Sequence, residues 1–272
     1  MPFTDIVSRL PRSPGVYIFR GDGRLPLYIG KSIDIRARVM SHLRNPDETS
    51  MLAQTRRIDH IETAGEIGAL LLESHLIKTH SPLFNQRLRR VKRLFSIQLV
   101  KNDDGWVPLI ADSNRVQHGM TPGLYGLFSS AHAVKQKLHS LASQHRLCMH
   151  VLGLEKASAR GCFGWQTKQC AGACVGQEPR LGHDQRLREA LETIQVHTWP
   201  FAGPVQLVER RDDWVQKHSI DQWAYQGTDC SRRTYDGIDI STEQAFDADT
   251  YQILVKPVLL NQVEIELLNP AS

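Results

Sequence analysis

No stretch of this 272-residue chain is apolar for long enough to cross a bilayer, which takes about 20 residues, and its N-terminus lacks the charged-then-apolar pattern of a signal peptide. Both absences place the chain in the cytoplasm. Cysteine is scarce, five residues in all, and a reducing compartment argues against disulfides. Extreme charge is missing too. The formal net charge is +4, and with 41% hydrophobic and 23% charged residues the composition is that of an ordinary globular protein. The length suffices for two or three compact units.

The modest total hides an asymmetry. Residues 1–93 carry 16 Lys+Arg against 9 Asp+Glu, residues 94–208 carry 11 against 8, and residues 209–272 carry 6 against 12. A basic surface concentrates a polyanion and neutralises phosphates, so the first segment is the candidate DNA-binding end. Its densest run is Arg87, Arg89, Arg90, Lys92 and Arg93. Read alone, that run is a solvated linker; a functional site around Asn85, just before it, would make it, together with Arg36, a candidate contact for DNA or another polyanion.

Val16 to Phe19 and Leu25 to Ile29 are strand-like, and Gly21-Asp22-Gly23 between them supplies a hairpin turn. Pairing the two strands brings Tyr17 and Tyr28 side by side. Ser32 is placed to cap a helix reaching about Leu43, with Ile35 and Val39 on one face and Arg38 and His42 on another. Thr63-Ala64-Gly65-Glu66 reads as a capping box for a second helix that ends before Pro82 and carries Glu73 among apolar residues. A short N-terminal helix, a helix over 51–57 and a strand over 57–63 complete a small antiparallel sheet with helical cover.

Tyr17, Tyr28-Ile29-Gly30, Arg38, Glu73 and Asn85, in that order and spacing, resemble the GIY-YIG endonuclease family, here with Gly-Val-Tyr in the first half-motif. The run Ala69 to Glu73 and on through Pro82 to Phe84-Asn85 is similar to the UvrC-like branch. The resemblance covers residues 11 to 93. It implies an α+β nuclease domain over 1–93, then a cysteine-cluster domain over 94–196. A β-rich domain over 197–272 would follow, with strands at Val205–Glu209, Ser219–Tyr225, Tyr251–Leu260 and Val263–Leu268. In that last part Trp214, Trp223 and Tyr225 read as core, and Asp212, Asp213, Asp236, Asp239, Asp247 and Asp249 as exposed loop charge.

The resemblance also implies roles. Glu73 would hold Mg2+ or Mn2+ as a hard oxygen ligand, Arg38 would clamp the phosphate and Asn85 would position its neighbours. Tyr28 would activate the water, helped by the charge of Lys31, because a phenol with a pKa of about 10 is a poor base. Tyr17 would orient the same water. Where the UvrC-like nucleases have a tyrosine one helical turn beyond the arginine, this chain has His42, whose imidazole can hydrogen-bond or shuttle a proton.

Cys148, Cys162, Cys170 and Cys174 are separated by 13, 7 and 3 residues, a clustering that points to thiolates held by a metal. The spacing lacks the paired short knuckles of zinc sites, although four thiolates would bind zinc; the resemblance implies a [4Fe-4S] cluster. It further implies an enzyme that cuts one strand 3′ to a lesion in double-stranded DNA, on a UvrB–DNA complex loaded by UvrA; a monomer is the default expectation. A nuclease that cuts a defined sequence or structure without helpers, and a non-catalytic, metal-stabilised DNA-binding module, are the alternatives.

Overall fold

The computed structural model describes residues 4–85, 93–156, 158, 160–232 and 245–268. By contacts the chain forms two compact units, one of residues 1–90 with 200–272 and one of residues 91–199. The acidic C-terminal segment thus folds with the basic N-terminal one.

In the first unit the chain runs α1 (Thr4–Arg9), β1 (Gly15–Arg20), β2 (Pro26–Ser32), α2 (Ile35–Arg44), a 3-10 turn at Pro46–Glu48, α3 (Thr49–Gln54), β3 (Arg57–Glu62) and α4 (Glu66–His80). The three strands are antiparallel in the order β2-β1-β3, with Tyr17 opposite Gly30 and Phe19 opposite Tyr28. Central β1 is buried on both faces because its side chains alternate. Tyr17 and Phe19 pack with Ile35, Val39 and Met51, while Val16 and Ile18 pack with Ile29, Leu72 and Leu76. Gly30 is required there, since a β-carbon would collide with the Tyr17 ring.

Both expected caps are corrected. Asp34, not Ser32, caps α2, its carboxylate accepting the Ala37 N–H at 2.9 Å; the Ser32 hydroxyl instead bonds the Asp34 backbone. At α4 the cap position is Gly65, and Thr63 donates its hydroxyl to the Gly65 carbonyl. The N–H groups of Ile67 and Gly68 go to the carboxylate of Glu209, at 2.9 and 2.7 Å. A residue some 140 positions later finishes the helix that carries Glu73.

The second unit has β4 (Phe95–Asn102), β5 (Gly105–Asp112), β6 (Leu124–Phe128), α5 (Ala131–His145), α6 (Phe163–Gln166), α7 (Arg180–Glu192) and the short β7 (Gln195–Val196). Its sheet runs β5-β4-β6-β7. Ile97, Val134, Leu138, Leu141 and Leu187 form its core.

Back in the first unit, β8 (Val205–Arg211), β9 (Trp214–Asp221), β10 (Ala224–Cys230), α8 (Ala248–Leu259) and β11 (Glu264–Leu267) form a second sheet, ordered β10-β9-β8-β11, and a helix. Trp214, Trp223 and Tyr225 are buried in it. The strand expected over Tyr251–Leu260 is the helix α8. Its buried Tyr251, Leu254 and Val258 lie three and four residues apart, and Asp247 caps it by accepting the N–H groups of Asp249 and Thr250. Asp247 is therefore not loose charge: it also pairs with Lys78 of α4, at 2.5 Å. Asp236 and Asp239 lie outside the described residues.

Candidate active site and thiol centre

The β1–β2 hairpin and α2 bring three rings together. The Tyr17 and Tyr28 centroids are 6.2 Å apart, and His42 stands 5.3 and 5.4 Å from them. The Tyr17 hydroxyl and His42 Nε2 are 2.7 Å apart. Arg38, one turn earlier on α2, sets its charge near both phenols. Burial pushes the Tyr17 phenol far above its ordinary value, the neighbouring Tyr28 adds to this, and Arg38 only partly opposes it. Tyr28 is raised by burial and by the Glu73 charge, against Tyr17 and Arg38.

Glu73 sits half-buried on α4, and its Oε1 accepts the Lys31 N–H at 2.9 Å. Burial raises its carboxyl pKa; that N–H and the charges of Lys31 and Arg38 resist the rise. Asn85 bonds both backbone groups of Ile29, accepting from the N–H at 2.9 Å and donating to the carbonyl at 2.8 Å. It thereby fixes the strand that carries Tyr28.

Lys31 departs from the part expected of it. Its ammonium pairs with Glu66 at 2.6 Å, and the cation that lowers Tyr28 is Arg38. Lys31 serves the site through its backbone N–H. Arg36 uses Nε on the Leu10 carbonyl, 2.6 Å away, and lines a groove with Arg12, Met40, Ser41 and Arg44. Arg12 and Arg44 are basic residues that the sequence did not single out. Arg93 is engaged elsewhere, paired with Asp112 and lying over the Phe95 ring. Arg87, Arg89, Arg90 and Lys92 lie outside the described residues.

In the second unit the sulfurs of Cys148, Cys162, Cys170 and Cys174 all lie within 4.8 Å of one another, the first three buried. Backbone N–H groups aim at sulfur: Gly172 at Cys170, Trp165 at Cys162 and Cys162 at Cys174, at 3.2 to 3.3 Å. Gly172 manages this at φ +93, where a side chain would also meet Trp165. Burial raises the Cys148 and Cys170 thiols, so without a cation they stay protonated. N–H donors that favour thiolate, in a pocket that disfavours it, make a donor set that could hold a metal ion. Buried His183 accepts the Cys148 N–H at 3.0 Å, a support the spacing of the cysteines could not announce.

Three family models match in order: the UvrC-like GIY-YIG domain over residues 13–86, the UvrC/Cho excinuclease middle domain over 94–193, and the excinuclease Cho C-terminal domain over 204–272. Excinuclease cho of Shigella flexneri is 47% identical over 269 residues, covering 98% of this chain and 89% of that protein. The chain belongs to the excinuclease Cho family. Its relative in Escherichia coli K12 is 46% identical over the same spans. UvrABC system protein C of Nitrobacter hamburgensis is 35% identical over 69% of this chain and 27% of its own length. Among solved structures, the GIY-YIG N-terminal endonuclease domain of UvrC from Thermotoga maritima, bound to its catalytic divalent cation, is 31% identical. It covers 32% of this chain and 97% of that one, with a TM-score of 0.30. Like its excinuclease Cho relatives, the chain is an endonuclease.

Proposed function

We propose that the enzyme nicks one strand of damaged DNA on the 3′ side of the lesion, using a divalent cation held by Glu73 and acting on a UvrB–DNA complex loaded by UvrA. The observation that carries this reading is the gathering of Tyr17, Tyr28, Arg38 and Glu73 around the β1–β2 hairpin.

The donor chemistry suits Mg2+ or Mn2+: Glu73 offers a hard oxygen, oriented by the Lys31 N–H. A cation there would supply positive charge to the scissile phosphate and favour the ionised carboxylate that burial resists. Arg38 would share the phosphate charge. Tyr28 and Tyr17 hold the water in line; Asn85 keeps Tyr28 in register. Arg36, with the arginines of its groove, takes further phosphates, and the charges of Arg87, Arg89, Arg90 and Lys92 add to that attraction.

The four cysteines hold a metal centre that ties their unit together. The [4Fe-4S] cluster that the resemblance implies would need the sulfurs spread around a cubane. A single zinc ion with Zn–S of about 2.3 Å sets a tetrahedral S···S edge of ~3.8 Å, and the Cys148–Cys162 separation of 3.9 Å favours that second reading. Metal analysis of anaerobically purified protein separates the two: iron with acid-labile sulfide, or zinc alone.

The functional test is strand-resolved nicking of an end-labelled duplex with one bulky lesion, in Mg2+, with and without UvrA and UvrB. A single cut 3′ to the lesion that needs both helpers is the expected result. Cutting of undamaged DNA without helpers, or binding without cutting, would overturn the reading.

A further inference from the structure

His42 stands where the UvrC-like nucleases have a tyrosine, and the structure gives it a partner that no motif mentions. On the side away from Tyr17, His42 Nδ1 meets the carboxylate of Glu48. An ionised carboxylate only accepts, so the ring proton sits on Nδ1, and Nε2 is left to accept from the Tyr17 hydroxyl at 2.7 Å. His42 is only 4% exposed and Tyr17 1%. Glu48 is held in turn, its second oxygen accepting from the Asn45 side chain at 3.0 Å. The 3-10 turn Pro46–Glu48 makes this approach possible: Asn45 starts it by accepting the Asp47 N–H at 3.1 Å.

The geometry points to a carboxylate–imidazole–phenol relay in which Glu48 and His42 take up the proton that the attacking water loses through the tyrosines. The inference rests on the nuclease reading above and deepens it. The water's proton passes to the Tyr28 oxygen, the Tyr28 proton to Tyr17, and the Tyr17 proton to His42 Nε2. At each hop one bond to hydrogen breaks and one forms, the bonding electrons staying on the atom that gave the proton up. The net products are hydroxide at the phosphate and an imidazolium beside the Glu48 carboxylate. The hydroxide oxygen bonds to phosphorus as the bond to the leaving oxygen breaks, and that oxygen takes a proton from solvent water. The imidazolium returns its proton along the chain to the hydroxide so left, restoring His42 and both phenols. Burial makes either phenol reluctant to release its proton, so an acceptor with a compensating charge answers a need that the hairpin creates. The logic is that of the Ser-His-Asp arrangement, with a phenol where the hydroxyl nucleophile stands.

The groups facing His42 are Tyr17 from β1, Tyr28 from β2 and Glu48 from the turn, and the charged residue one turn earlier on its own helix is Arg38. Phe19 closes the remaining side, with its ring 5.6 Å from the imidazole. Glu48 is a positioning residue: it touches His42 and Asn45, not the reacting atoms.

The test compares wild type, Glu48→Gln, His42→Tyr and the double variant in single-turnover nicking across a pH range of about 6 to 9, with unfolding temperature measured on each. Glu48→Gln should nick on the order of 10- to 100-fold more slowly near neutral pH, with the deficit shrinking as pH rises and the water needs less help. In the His42→Tyr background, adding Glu48→Gln should change nothing further, because a phenol has no imidazolium to balance. A deficit from Glu48→Gln that is constant across pH, or that persists in the His42→Tyr background, would overturn the relay and leave Glu48 a structural residue. A wild type that fails to nick at all would overturn the nuclease reading instead.

Discussion

Each unit holds one centre of buried, weakly acidic side chains, and the two are finished differently. In the first, burial raises Tyr17 and Tyr28, but protein groups answer the polar atoms on the path: Arg38, His42 and Glu48 behind the phenols, Lys31 and Asn85 around them. In the second, burial raises Cys148 and Cys170, and the answers are backbone N–H groups that favour a charge. A centre wired by side chains is positioned by the fold itself. A centre of buried thiols met by backbone donors is suited to an ion that would take its protons' place.

The sharpest way to break this contrast is to strip the metal. Structural thiolate sites contribute on the order of 10 kcal/mol in small metal domains. Chelation should therefore lower the unfolding transition of residues 91–199 by more than ~10 °C while leaving the transition of the first unit in place. Calorimetry with and without chelator reads both, and equal shifts of the two transitions would erase the distinction. Next in size is Glu73→Ala. It should reduce nicking by at least ~1000-fold, about 4 kcal/mol, with an unfolding temperature near wild type, because only one hydrogen bond, to the Lys31 N–H, is lost. Wild-type nicking by this variant would refute the cation-ligand role.

Smaller effects test whether the first centre is as fully wired as it looks. Glu209→Ala uncovers the α4 N–H groups of Ile67 and Gly68 and should cost about 1–2 kcal/mol in denaturant unfolding. Burial works against ionising Glu209, but hydrogen bonds from His218, Gly68 and Ile67 outweigh it and hold the carboxyl below its usual range. Its contribution is thus present above the unfolded value of about 4.3 and lost as pH falls through the lower folded value. Glu209→Gln should flatten that acid limb. The smallest effect belongs to Asn85→Asp, which removes the donor to the Ile29 carbonyl and should cost about 1 kcal/mol, with a several-fold slower nick as β2 loosens.

What the sequence made legible was local or carried by a motif. Alternation over Val16–Phe19, the turn glycines and the order Tyr17, Tyr28, Arg38, Glu73 and Asn85 placed the hairpin and its site. The cysteine spacing placed the thiol centre. What stayed hidden depended on partners remote in the chain or on competing local signals. Glu209 is an ordinary strand residue until the fold sets it against α4, and nothing nearby in sequence separates it from the other acids. Glu48 looks like turn charge until His42 is known to be buried beside it. The helix α8 passes for a strand because Tyr251–Leu260 is rich in apolar residues; the three-and-four spacing of Tyr251, Leu254 and Val258, and a proline at 257, carry the better signal.

The cap that Glu209 places on α4 has a consequence in time. Residue 209 is made 142 residues after Ile67, and at about 5–20 residues per second that gap lasts roughly 7–28 s. Throughout it the helix bearing Glu73 carries open N–H groups at its first turn, and the Lys78 ammonium waits for Asp247 from still later in the chain. The first unit therefore reaches its finished form well after the residues of its candidate site are made, and the later segment acts as the latch that makes the earlier one whole.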